Sequence, residues 1–230
     1  MGTKSKSSPA IRINSLLLDV DGTLIDSNDA HAHAWLEALA EAGFNVSFQA
    51  VRERIGMGGD HLLPSLLGIS GEEGLGERLA KRRGEIFRAK YLDGLKPFRD
   101  VRLLIERFLS LDLRLVVATS SPKEDLEGLL EKAGVRDLLL SKTSADDAES
   151  SKPDPDIILA ALKKAKCEPR QALMIGDTPY DISAALKAGV GTLAFECGGW
   201  PAEELSGAVA VYQGPWHLLR ELESSPIFRS

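Results

Sequence analysis

Two patterns of apolar residues alternate along most of the chain. Residues 13–20 contain the unbroken run Leu16-Leu17-Leu18, which predicts a strand buried on both faces of a parallel sheet. The signature returns at residues 113–118, 135–140, 172–175 and 192–195, with a further candidate at 208–212. Between these runs, helices are predicted over residues 101–109, 121–134 and 154–166, from 178 onward, and over 216–222. Ser121-Pro122-Lys123-Glu124 sets an N-cap, a first-turn proline and a capping-box glutamate in register. Thr178-Pro179-Tyr180-Asp181 repeats the device, with Asp181 facing a Thr178 cap. Lys-Ala-Gly-Val occurs at 132–135 and at 187–190, where a glycine just past the last turn stops a helix and a strand follows. Strands alternating with helices imply right-handed crossovers and a doubly wound, Rossmann-like α/β sheet.

The stretch between the first strand and Pro97 does not keep this rhythm. Residues 30–42, 50–55, 61–67 and 76–92 all read as helical, with Trp35, Leu36 and Leu39 on one side of the first. The expected organisation is therefore a disordered tail over 1–10, an α/β core from 11–26 and 97–230, and a small helical cap over 27–96 inserted after strand one. Such a block would lie over the carboxyl ends of the strands, where open α/β sheets bind ligands, and would act as a lid.

Composition narrows the partners. The 230 residues are 43% hydrophobic and 27% charged, with a formal net charge of -6, so bulk attraction to a polyanion is absent and nucleic acid is not expected. A phosphorylated substrate remains compatible, because a bound cation reverses the local field. Cys167 and Cys197 form no CxxC pair, which fits a reducing, cytoplasmic setting. The opening MGTKSKSSPA lacks the apolar segment of a secretory signal, and Lys6 stands where a myristoylation signal needs Ser or Thr. No apolar run nears the ~20 residues of a membrane span. A monomer or weak dimer is expected.

Four short segments follow predicted strands and carry the candidate chemistry. In Asp19-Val20-Asp21-Gly22-Thr23, two carboxylates leave a buried strand where the chain turns at Gly22. Thr119-Ser120-Ser121 offers hydroxyls and free backbone N–H groups to an anion, although Ser121 on its own reads as an N-cap. In Ser151-Lys152-Pro153-Asp154-Pro155, helix initiation explains Asp154 and Pro155 and leaves Lys152 as the candidate. In Gly176-Asp177-Thr178-Pro179-Tyr180-Asp181, the cap explains Asp181 but not Asp177. Each segment alone has an ordinary reading as loop or helix start. Together they gather carboxylates, a lysine and a hydroxyl at the carboxyl ends of one sheet. That set suits a Mg²⁺ site beside a phosphate site.

DVDGT, VVATSS, SKPDP and GDTPYD, in this order, closely resemble the motifs of the haloacid dehalogenase-like hydrolase superfamily, and the block between Asp26 and Pro97 resembles its small helical cap. The resemblance implies an aspartyl-phosphate mechanism. Asp19 would be the nucleophile, and Asp21 general acid and then base. Thr119, Ser120 and Lys152 would hold the phosphoryl group. Mg²⁺ would be bound by Asp19, Asp177 and the backbone carbonyl of Asp21, with Asp181 and Thr23 in support. A carboxylate attacks a phosphate dianion only where cations shield the repulsion.

Departures within the superfamily refine the expectation. Carbon–halogen-cleaving members lack a second aspartate equivalent to Asp21, and members that use a cap lysine as a Schiff base find no lysine here between Asp26 and Lys81. Asp26-Ser27 through His31 to Trp35 resembles the start of the cap of β-phosphoglucomutases, yet glycine stands in Gly56-Met57-Gly58-Gly59 where those enzymes carry a phosphate-binding arginine. His31 is either a lid-hinge or substrate contact or a histidine packed beside Trp35. Met57 and Gly58 are placed on the cap loop facing the site, and few cap charges point at a leaving group. The expectation is a phosphatase acting on a small phosphorylated metabolite, a sugar phosphate or a phosphoglycolate-like acid. A sugar phosphomutase and a non-catalytic binding protein on the same fold are the alternatives.

Overall fold

The computed structural model describes residues 12–228, so the tail expected over 1–10 lies outside the described residues. Among the described residues there are six strands: β1 (Ser15–Leu18), β2 (Arg114–Ala118), β3 (Lys142–Thr143), β4 (Ala172–Gly176), β5 (Gly191–Phe195) and β6 (Ala210–Tyr212). All pair in parallel, in the order β3-β2-β1-β4-β5-β6. Leu17 stands opposite Val116 on one side and Met174 on the other. Because successive side chains point to opposite faces, Leu16 and Leu18 enter one buried cluster and Leu17 enters another. The apolar runs are continuous because both faces are covered.

The covering helices are α5 (Val101–Ser110), α6 (Lys123–Lys132), α7 (Asp156–Ala165), α8 (Pro179–Lys187) and α9 (Pro215–Arg220). Leu104, Phe108, Leu126 and Leu218 pack on the face of Leu16, while Ile157, Ile158, Ala184 and Ala185 pack on the face of Leu17.

Two local expectations fail. Residues 135–140 do not form a strand. Val135 and Leu139 are fully buried behind α6 in a run of turns, whereas Leu140 is 83% exposed, and the third strand is the pair Lys142–Thr143. Burial in the core met the demand of that apolar run without a ladder, and periodicity alone does not separate the two outcomes. Ser121 is not an N-cap either: Pro122 holds that position, α6 begins at Lys123, and no side-chain cap bond forms.

Between β1 and α5 lie α1 (Asn28–Glu41), α2 (Phe48–Arg52), α3 (Gly59–Leu67) and α4 (Gly74–Ile86), followed by a wide π turn over Phe87–Tyr91 and a 3-10 turn over Leu92–Gly94. Trp35, Leu39, Val51, Leu62, Leu63 and Leu79 close a buried cluster inside this block. Ala34, Ala38, Ile86 and Phe87 belong instead to the large cluster of the sheet. The chain leaves and rejoins the sheet region at adjacent points. Asp26 N donates to Lys96 O at 3.0 Å, and Ile25 bridges Pro97.

Among the described residues, no helix is long and apolar enough to cross a membrane.

Candidate active site

β1 lies between β2 and β4, so the chain winds outward to one side through β3 and then to the other through β6. This reversal opens a crevice at the carboxyl ends of β1 and β4. Asp19 follows β1 and Asp177 follows β4, and Asp19 N extends the ladder to Ile175 O at 2.9 Å. Gly22 then turns the chain with φ 73°, and a Cβ there would meet the Asp177 carboxylate at 2.2 Å. Only glycine combines that backbone with so close an approach.

Lys152 is 1% exposed and spans the crevice: Nζ donates to Asp19 Oδ1 at 2.5 Å and to Asp181 Oδ1 at 2.6 Å. Burial alone would lower the lysine, but Asp181 and Asp19 reverse that and hold it above its ordinary value. Asp181 is placed by the start of α8. Its Oδ2 accepts from Thr178 N at 3.0 Å while Thr178 Oγ1 accepts from Asp181 N at 3.2 Å, the reciprocal box expected from the sequence. One carboxylate therefore caps a helix with one oxygen and orients the lysine with the other.

Oxygens of Asp19, Asp177 and Asp181 lie within 4.8 Å of one another. Burial, then the charge of Asp181, pushes Asp177 up to about 8 against the donors Asn28 and Thr23 and the charge of Lys152. Asp19 is likewise raised well above its usual value, by burial first, with Lys152 opposing and the neighbouring carboxylates adding to the rise. Buried carboxylates thus outnumber the one lysine among them. Thr23 Oγ1 donates to Asp177 Oδ1 at 3.0 Å, and Asn28 Nδ2 to Asp177 Oδ2 at 2.8 Å, while Asn28 Oδ1 is buried with no partner. An oxygen-rich, negatively unbalanced pocket with a spare amide oxygen fits a hard divalent cation such as Mg²⁺.

The Asp21 carboxylate is outside that cluster. Ser27 Oγ donates to Oδ1 at 2.6 Å, Ser121 Oγ donates to Oδ2, and His31 Nε2 lies 2.8 Å from Oδ1. Arg83 Nη1, which only donates, is 3.4 Å from His31 Nδ1, so Nδ1 accepts and Nε2 carries the proton toward Asp21. The His31 ring stacks on Phe87 with centroids 4.0 Å apart. Burial would raise Asp21, but His31 and the two serines outweigh it and hold the carboxyl well below the usual range.

Asp19, Asp21, Thr119, Ser120, Met57 and Gly58 line one cavity of about 50 Å³, together with His31, Trp35 and Arg83. Thr119 Oγ1 accepts from Ser121 N at 3.1 Å, which turns this loop under the cavity. The helical block is drawn down onto the sheet: Ser151 N donates to Asp60 Oδ2 at 2.9 Å, Tyr180 Oη to Glu53 O at 2.5 Å, and Arg83 and Arg88 reach Asp125 of α6 at 3.1 and 2.7 Å.

Ser27, Asn28, Ser121, Arg83 and Asp125 were not foreseen in these places. Ser27 and Asn28 follow the DVDGT segment closely enough to have been candidates. Arg83 sits in Lys81-Arg82-Arg83-Gly84-Glu85, which reads as a solvated helix face, and Asp125 reads as a first-turn helix acid. Arg83 is a charge of the helical block that lines this cavity.

The sequence profile of the family described as haloacid dehalogenase-like hydrolase matches residues 16–195. The chain is 31% identical over 185 residues to a phosphoglycolate phosphatase of Aquifex aeolicus, covering 77% of this chain and 82% of the relative. It is 27% identical over 181 residues to the fructose-1-phosphate phosphatase YqaB of Escherichia coli, covering 78% and 94%. A crystal structure of a hydrolase from Pseudomonas syringae superposes with a TM-score of 0.86 at 29% identity, over 92% of this chain and 98% of that one.

Proposed function

We propose that this chain, which belongs to the haloacid dehalogenase-like hydrolase family, is a Mg²⁺-dependent phosphatase that removes phosphate from a small phosphorylated metabolite through an aspartyl-phosphate intermediate. The observation that carries the reading is the different tethering of two carboxylates lining one cavity. Asp19 is bound by Lys152, and Asp21 by Ser27 and His31 at the start of α1 and by Ser121 from the loop after β2. A nucleophile beside a cation and a proton carrier opposite it are what phosphoryl transfer to a carboxylate requires.

Asp19 forms the bond to phosphorus as the ester oxygen leaves, and Asp21 gives that oxygen its proton. Asp21 then takes a proton from water, whose oxygen attacks the phosphorus and frees Asp19 and inorganic phosphate. The Ser27 and Ser121 hydroxyls can donate or accept, so they accommodate Asp21 with and without its proton. Lys152, Thr119 and Ser120 hold the phosphoryl oxygens. Mg²⁺, held by Asp19, Asp177 and the Asp21 carbonyl, would supply the remaining positive charge. Two free thiols, Cys167 and Cys197, agree with a cytoplasmic setting as part of this reading.

The test is phosphate release from a panel of small phosphate esters, with Mg²⁺ and with chelator. Metal-dependent release that falls by roughly 10³-fold or more in Asp19→Asn is the expected result. No release from any ester would overturn it. Substrate isomerisation without free phosphate would then point to the phosphomutase, and its absence to a binding protein.

A further inference from the structure

We infer that Arg83 determines specificity, selecting short phosphate esters whose leaving group carries a carboxylate. This rests on the phosphatase reading above. Arg83 projects from α4 into the same cavity as Asp19 and Asp21. Its side chain is 10% exposed, and both of its hydrogen bonds leave from Nη1: one to Asp125 Oδ2 at 3.1 Å, one to His31 Nδ1 at 3.4 Å. Nε is buried with no partner at all. A guanidinium is a planar fork of five donors, and a buried donor without an acceptor is costly, so the remaining side of the fork calls for an acceptor. A carboxylate fits two of its N–H groups at once.

The surroundings fix the orientation of that fork and limit what can reach it. Asp125 is fully buried and shared between Arg83 and Arg88, and Arg88 also meets Glu124 at 3.1 Å, so Arg83 is held in place without its free donors being taken up. The Trp35 ring lies against the guanidinium, 5.5 Å from centroid to Cζ. Apart from His31 and Arg83, the block lines this cavity with Trp35, Ile55, Met57 and glycines. None of these side chains is an acceptor suited to the several hydroxyls of a sugar. The space of about 50 Å³ holds a phosphate and a few further atoms. Beyond Arg83 the cleft widens to about 590 Å³, where Glu72, Glu77, Glu124 and Glu149 stand with Lys81 and Arg88. A long leaving group ending in a second phosphate would meet those carboxylates; a two- or three-carbon acid stops short of them.

The experiment compares kcat/KM for 2-phosphoglycolate and for its amide, a neutral ester of nearly the same size, in wild type, Arg83→Lys and Arg83→Met. Wild type is expected to favour the acid by about tenfold or more, the worth of one charge-assisted hydrogen bond. Arg83→Met should bring the ratio near one, and Arg83→Lys should fall between, because lysine keeps the charge and loses the fork. The ratio is internal to each protein, so loss of folded enzyme lowers both rates and leaves it unmoved. A wild type that hydrolyses both esters equally, or an Arg83→Met that keeps the full preference, overturns this inference and leaves the phosphatase standing. A wild type that releases phosphate from neither, nor from p-nitrophenyl phosphate, overturns both.

Discussion

At Asp21, two serine hydroxyls and one imidazole N–H converge on a single carboxylate, two of them from the start of α1 and one from the loop after β2. Removing one donor lets burial regain ground. Ser121→Ala is therefore expected to raise the Asp21 pKa and to move the limb of the pH–rate profile that belongs to Asp21 upward. A hydrogen bond to a charged group is worth about 1.5–3 kcal/mol, or roughly one to two pH units. An unmoved limb would mean that Ser121 does not act on Asp21. Asp181 offers a second test, because Lys152 is buried and donates to it. Asp181→Asn should cost about 1 kcal/mol in denaturant unfolding, the worth of a weakened hydrogen bond, because Lys152 keeps its pair with Asp19. Asp19 and Asp177 were legible in the sequence because a charge at the end of a buried strand needs a reason, whereas Lys152 stood out only once the four segments were taken together. Arg83 and Ser121 were not legible, because a helical arginine and a serine before proline each have an ordinary explanation that only tertiary contacts remove.

Among the elements, the start of α8 was read in full from four residues, because capping geometry is local. Thr178→Ala should cost about 1 kcal/mol in equilibrium unfolding, and a neutral change would show that Asp181 holds its place without the box. The π turn after α4 had no such signature. It brings Phe87 to His31, and Tyr91 Oη to Glu37 Oε1 of α1 at 2.5 Å. That hydrogen bond, with burial and the charge of Glu37 adding to it, pushes the Tyr91 phenol from 10.0 to about 12. Neutral Tyr91 is the form that donates, so its stabilisation is whole below pH 10 and is lost as pH climbs through about 12. Melting temperatures recorded over that window should fall more steeply for wild type than for Tyr91→Phe; parallel curves would remove the phenol from the account. The third strand was misplaced for a related reason. An apolar run records burial, and the choice between ladder and turn lay in distant pairing with Val117 and Ala118.

For the molecule as a whole, the doubly wound order followed from the alternation of strands and helices, whereas the downward set of the helical block depended on contacts such as Asp60 to Ser151 that no local pattern announces. The crowding of Asp19, Asp177 and Asp181 carries a global prediction. A cation that binds only the folded chain stabilises it by about 2.7 kcal/mol at a hundredfold excess over Kd. Mg²⁺ should therefore raise the melting temperature and chelator should lower it. Asp177→Asn should lose that response while melting no lower than wild type without metal, because it removes a charge that burial opposes. A metal response that survives in the variant would place the cation elsewhere.

The adjacent crossing at Asp26 and Lys96 bears on how such a molecule changes over time. Seen from the sheet, everything from residue 27 to residue 96 is a single loop whose two ends already touch. The entropy of closing a loop grows only with the logarithm of its length, about 0.6 kcal/mol for each doubling. Provided the start of α1, which ties Asp21 and Asp177, and the contacts of Ala34, Ala38, Ile86 and Phe87 are kept, changes of length in the outer helices α2 and α3 leave the strands and the carboxylates at their tips little altered. Ancestry could alter which molecules are admitted while inheriting the chemistry intact.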